Sequence, residues 1–108
     1  MGKRTNFPKK NRDFYATPFS AVLPLLGHLR PSTAFHEPCV GSFDLVAHLE
    51  NYNHKCVESG DIATGQNALN IKKTKGDVFI TNPPWTWATL NSLISHLSNI
   101  QKTWLLLN

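Results

Sequence analysis

Apolar residues in this chain fall into two kinds of block. In the first they recur at helical spacing: Val22, Leu25, Leu26 and Leu29; then Phe43, Leu45, Val46 and Leu49; then Leu90, Leu93, Ile94 and Leu97. Side chains three and four apart share one helix face, so each set predicts an amphipathic helix. In the second kind the apolar residues form short runs bounded by Gly, Pro or Asn: residues 34–37, 55–58, 68–71, 77–81 and the final "TWLLLN". Each run predicts a short, buried strand. Thr17-Pro18 predicts the first helix start, with Thr17 as N-cap and Pro18 at the first helical position. Pro24 is expected to kink or shorten that helix, and Pro31 to end it. Ser42 is the predicted N-cap of the second helix, which runs to about Asn53.

Helices alternating with short apolar strands indicate the α/β class: a parallel sheet with helices on both faces. Ligands in such sheets bind beyond the carboxyl ends of the strands, near the switch in strand order. Three turns follow strands here: "EPCVGS", "ESGDI" and "NPPW". In the first, Gly41 lets the backbone approach a ligand, beside the N–H groups that open a helix. In the second, an acid lies about 20 residues beyond the glycine turn, the spacing at which a carboxylate reaches a ribose diol. Asp61 is the first choice for that role and Glu58 the second. The third turn ends a strand abruptly, because prolines cannot continue a central ladder. There the Asn82 side chain and the Pro83 carbonyl are acceptors for an amino group, and Trp85 offers a flat face for stacking. Acceptors beside a π surface suit a planar ring that carries an exocyclic amine.

Composition narrows the picture without changing it. With 108 residues, 41% of them hydrophobic and 17% charged, the chain fits one globular domain. No apolar run approaches the roughly 20 residues of a membrane span. Without a signal-peptide core at the amino terminus, the expectation is a cytoplasmic protein. Cys39 and Cys56 then read as thiols rather than as a disulfide. The five histidines and two cysteines show no metal-ligand spacing. The net charge of +4 is concentrated in residues 1–12, which hold Lys3, Arg4, Lys9, Lys10 and Arg12 and no acid. Residues 13–108 carry six Lys and Arg against seven Asp and Glu. The amino-terminal segment is either a solvated tail or a basic arm for phosphates.

Taken together, the motifs resemble a family. "NPPW" resembles the catalytic motif of S-adenosylmethionine-dependent methyltransferases that act on amino nitrogens. "FYATPFSAVLPLL", then "EPCVGS", then "NPPW", resembles the motif order of DNA adenine methyltransferases, especially compact phage-type, Dam-like enzymes. The resemblance runs from Asp13 onward and implies a Rossmann-like methyltransferase fold, DNA as partner and S-adenosylmethionine as cofactor. It also implies roles for individual residues. Phe14, Thr17 and Pro18 line the pocket for the methionine part; Glu37, Pro38 and Gly41 form the cofactor loop; Asp61 and Ile62 hold ribose and pack on adenine. Asn67, with Ala68 and Leu69, stands where the family usually has an acid near the cofactor adenine. Asn82, Pro83, Pro84 and Trp85 are catalytic.

Three departures accompany the resemblance. Phe43 occupies the place of a second glycine and is expected to tighten or block the pocket. Asn67 replaces the acid. The chain stops about where a fifth strand would lie, short of the family's roughly seven. The sheet is therefore expected to be incomplete at its carboxyl end, with an open edge that invites a homodimer. Two alternatives stand beside this expectation: a truncated, inactive remnant or fragment that binds cofactor weakly or not at all, and a methyltransferase acting on protein glutamine or RNA amino groups.

Overall fold

The computed structural model describes residues 17–83 and 86–106. Phe14, Pro84, Trp85 and the basic arm lie outside the described residues. Four strands, β1 (Ala34–Glu37), β2 (Lys55–Ser59), β3 (Val78–Thr81) and β4 (Thr103–Leu105), form one parallel sheet in the order β2-β1-β3-β4. Three helices accompany them: α1 (Phe19–Leu26) precedes β1, α2 (Asp44–Glu50) links β1 to β2, and α3 (Trp87–Ser98) links β3 to β4. Parallel neighbours need crossover connections, and helices supply them at both ends of the series. The class read from the alternation is thus present: a parallel sheet in an α/β chain.

Strand alternation divides the core between the two faces. Phe35, Val78 and Ile80 face α1 and α2, meeting Val22, Leu25, Leu45, Val46 and Leu49. Trp104 and Leu106 pack against the edge of the same cluster. Phe79 points the other way, to Leu93 and Leu97 of α3 and to Ala68. His36 lies beside Phe79, with ring centroids 4.9 Å apart. The two central strands, β1 and β3, are almost wholly buried; β3 accordingly reads as an apolar run, whereas β1 buries the polar His36 and Glu37 as well.

The structure corrects several local expectations. Residues 68–71 are not a strand. Ala68–Asn70 is a turn of 3₁₀ helix, because the Asn67 side chain accepts a hydrogen bond from the Leu69 N–H at 2.9 Å and curls the chain. Thr17 is not the cap of α1; Pro18, in an extended conformation, takes that place, and the Thr17 hydroxyl is engaged elsewhere. Ser42 is not the cap of α2. The capping residue is Phe43, held left-handed at φ 69°, while Ser42 Oγ donates to Asp44 Oδ2 at 2.6 Å. Phe43 therefore leaves the apolar face assigned to it and stands 53% exposed. Pro24 lies inside α1, which ends at Leu26 rather than continuing to Leu29.

Candidate functional site

Parallel strands present all their carboxyl ends on one side, and here the ends of β1, β2 and β3 surround a cavity of about 470 Å³. Its wall includes Pro38 and Gly41 from the turn after β1. Asp61, Ile62 and Asn67 come from the loop after β2, and Asn82 from the turn after β3. A recess of this volume is of the size that small-ligand sites commonly have. Gly41 adopts φ 55°, a left-handed turn open to glycine at little cost, and it brings the chain round into α2.

Asp61 is set by its own loop. Its Oδ1 accepts from the Ala63 N–H at 3.1 Å and so caps the 3₁₀ turn Ile62–Thr64. Its Oδ2 accepts no hydrogen bond among the described residues, which leaves a carboxylate oxygen for a ligand at the cavity wall. Ile62 is 63% exposed, and with Leu69 it offers apolar surface at the same mouth. Glu58, the second choice for the ribose role, is committed to structure. Its Oε1 accepts from the Lys75 N–H at 2.7 Å and from Thr74 Oγ1 at 3.2 Å. The Lys75 N–H bond, first among several causes, holds its carboxyl below the ordinary range. Glu58 lines a neighbouring recess of about 310 Å³ with His36, not this cavity.

Glu37 ends β1 and is almost fully buried. Burial pushes its carboxyl up to about 7, against the opposite pull of the Thr81 side chain and the backbone N–H groups of Cys39 and Asn82. Its Oε1 accepts from the Cys39 N–H at 2.7 Å, a contact that folds the turn back on the strand. The Thr81 hydroxyl is itself buried with no well-formed hydrogen bond among the described residues, so it acts on Glu37 as a nearby dipole. Burial also drives the Cys39 thiol up to about 12, which makes it an apolar wall atom rather than a nucleophile.

Asn82 stands where the β3 ladder stops. Its Nδ2 donates to Thr17 Oγ1 at 3.0 Å, across 65 positions of sequence. An asparagine amide carries one acceptor oxygen and one donor nitrogen. With one Nδ2 hydrogen given to Thr17, Oδ1 remains as the acceptor of a side chain that lines the cavity.

The structure thus brings Pro38, Gly41, Asp61, Ile62, Asn67 and Asn82 around one space. Thr17 and Glu37 stand behind that wall, and Pro18 is exposed outside it. Phe43 is not among the lining residues, so the expected blockage does not occur. Ala68 and Leu69 line it beside Asn67, and sequence reasoning missed Cys39, Ala63, Gln66, Thr89 and Leu93, which complete the lining. Thr89 and Leu93 lie one turn apart on α3, and helical spacing alone could have placed them together on the face that follows the Asn82 turn. Comparisons of the chain with protein-family models, with curated proteins and with solved structures return no match.

Proposed function

We propose that this domain binds S-adenosylmethionine and directs methyl transfer to an exocyclic amino nitrogen, with adenine in DNA as the acceptor, on a Rossmann-like methyltransferase fold. One observation carries the reading: the Asn82 amide of "NPPW" and the Asp61 carboxylate share the wall of a single cavity at the strand ends. The donor set suits a nucleoside. Asp61 Oδ2 would accept from the ribose hydroxyls, Ile62 and Leu69 would cover the faces of the purine, and Gln66 and Asn67 would meet its polar edge. When bound, the cofactor supplies an electrophilic methyl group on a sulfonium centre.

The chain's own contribution is placement. Asn82 Oδ1 and the Pro83 carbonyl accept the two amino hydrogens of the acceptor base, which leaves the nitrogen lone pair directed out of the ring plane. A good leaving group makes positioning the main source of rate. The acceptor base must leave its helix to enter a cavity of this size, at a cost of a few kcal/mol. Stacking on the flat face of Trp85 would return about 1–3 kcal/mol. The basic arm supports nucleic acid over a peptide glutamine, since phosphate contacts need cations and no sequence choice.

Calorimetric titration with S-adenosylhomocysteine tests the cofactor half, with micromolar binding expected. Absence of binding at millimolar ligand would refute the reading. In the Asn82→Ala variant that affinity should survive while methyl transfer to DNA is lost; unchanged turnover would sink the assignment of Asn82.

A further inference from the structure

We infer that Thr17 is a positioning residue for Asn82: its hydroxyl accepts a hydrogen bond from Nδ2 and so anchors the side chain with Oδ1 toward the acceptor amine. The inference rests on the proposed amino-methyl transfer. The resemblance assigns Thr17 to the cofactor pocket, but the geometry gives its hydroxyl a different partner, 3.0 Å away on Asn82.

The two ends of an asparagine amide have nearly the same shape, so packing alone does not choose between them. A hydroxyl can accept from Nδ2 or donate to Oδ1, and here it accepts from Nδ2, the arrangement that leaves Oδ1 for the amine. If the amide turned over, Nδ2 would face the acceptor amine and offer it hydrogens where acceptors are needed. Thr17 is suited to anchor the amide because it does not move freely. Its side chain is buried, at 6% exposure. Its carbonyl oxygen lies 2.9 Å from His48 Nε2 on α2. A carbonyl only accepts, so Nε2 must carry the proton, which fixes the ring's role. The His48 ring in turn stands edge-on to Phe19, with centroids 5.6 Å apart. The line His48, Thr17, Asn82 thus ties the body of α2 to the turn after β3, and it passes through a residue just ahead of α1.

The test compares Thr17→Val, which keeps the shape and removes the hydroxyl, with Thr17→Ser, which keeps the hydroxyl. The first readout is the side-chain amide pair of Asn82 in a ¹H–¹⁵N spectrum, identified by its loss in Asn82→Asp. In the unaltered chain one amide proton should be shifted downfield and protected from exchange. Thr17→Val should return it to the position of a free amide, and Thr17→Ser should not. The second readout is kinetic: Thr17→Val should lower kcat for methyl transfer by about tenfold, the worth of one hydrogen bond to a group that must be aimed. Its affinity for S-adenosylhomocysteine should stay within about twofold, and Thr17→Ser should restore kcat. An unchanged amide pair in Thr17→Val would overturn the inference. So would weakened S-adenosylhomocysteine binding with kcat intact, which would make Thr17 a cofactor contact. Absence of methyl transfer in the unaltered chain would refute the proposed activity alone, because the amide spectrum still decides what Thr17 does to Asn82.

Discussion

Replacing Glu37 with Gln should flatten the fall in stability that this carboxyl imposes between about pH 4.5 and pH 7. In the folded chain the group is held at about 7 instead of the ordinary 4.5, chiefly by burial. The sign follows from proton counting. Below pH 4.5 the carboxyl is protonated whether the chain is folded or not, and its burial then carries no charge penalty. As pH rises, the unfolded chain ionises first, and the favourable contribution is lost progressively until the folded carboxyl ionises near 7. At 1.36 kcal/mol per pH unit of displacement, the loss is on the order of 3 kcal/mol by pH 8. Gln preserves the volume and an oxygen for the Cys39 N–H, and its own N–H can turn to the unpartnered Thr81 hydroxyl. Urea unfolding of both proteins at pH 4.5, 6 and 8 gives the comparison directly. His36 and His54 are held low by burial and push stability the opposite way in part of this window. They are present in both proteins and cancel in the difference. The variant should gain on the unaltered chain by on the order of 3 kcal/mol between pH 4.5 and pH 8. A difference that stays constant over that range would refute the assignment of a near-neutral carboxyl at the end of β1.

Two further substitutions test the frame around the site. Phe43→Gly should raise unfolding stability by about 1 kcal/mol, because an aromatic residue at φ 69° stands where glycine carries no steric cost. Since Phe43 does not line the cavity, S-adenosylhomocysteine affinity should not change; a less stable variant, or a changed affinity, would contradict the reading. Gly76→Ala should cost about 1–3 kcal/mol, since its Cβ would lie 3.0 Å from His36 N and Val78 O, both backbone atoms in the paired central strands. Thermal unfolding should then drop by several degrees, and a melting point within one degree of the unaltered chain would show that the strands can yield.

The layered order of elements was legible because buried strands and amphipathic helices leave different spacings. β3 is apolar on both faces and β1 is buried on both, whereas the helix between them has one exposed face. What misled was short apolar sequence under local polar control. Residues 68–71 look like a strand until the Asn67 side chain is seen to cap the Leu69 N–H. A left-handed aromatic such as Phe43 has no sequence signal at all, since its conformation is imposed by the turn from Gly41 into α2. At the site, glycine, acid and asparagine were readable because each closes a strand. Spacing ranked Asp61 ahead of Glu58, but the engagement of Glu58 was not readable, because it depends on Thr74 and Lys75 from a loop sixteen and seventeen positions away. The engagement of Thr17 by Asn82 is likewise a tertiary fact.

The strand order β2-β1-β3-β4 also bears on how the chain assembles. β1 meets β2 across one short helix, but it meets β3 only after roughly twice as much chain has been looped out, at about 0.6 kcal/mol of extra closure entropy. The β1–α2–β2 unit is local and condenses first; β3 and β4 then add to its far edge. The cavity needs Asn82 beyond β3 as well as Asp61 beyond β2, so it comes into being only when the second half docks. A ligand for that cavity consequently has nothing to hold before the final step. It should slow unfolding while leaving the rate of refolding unchanged.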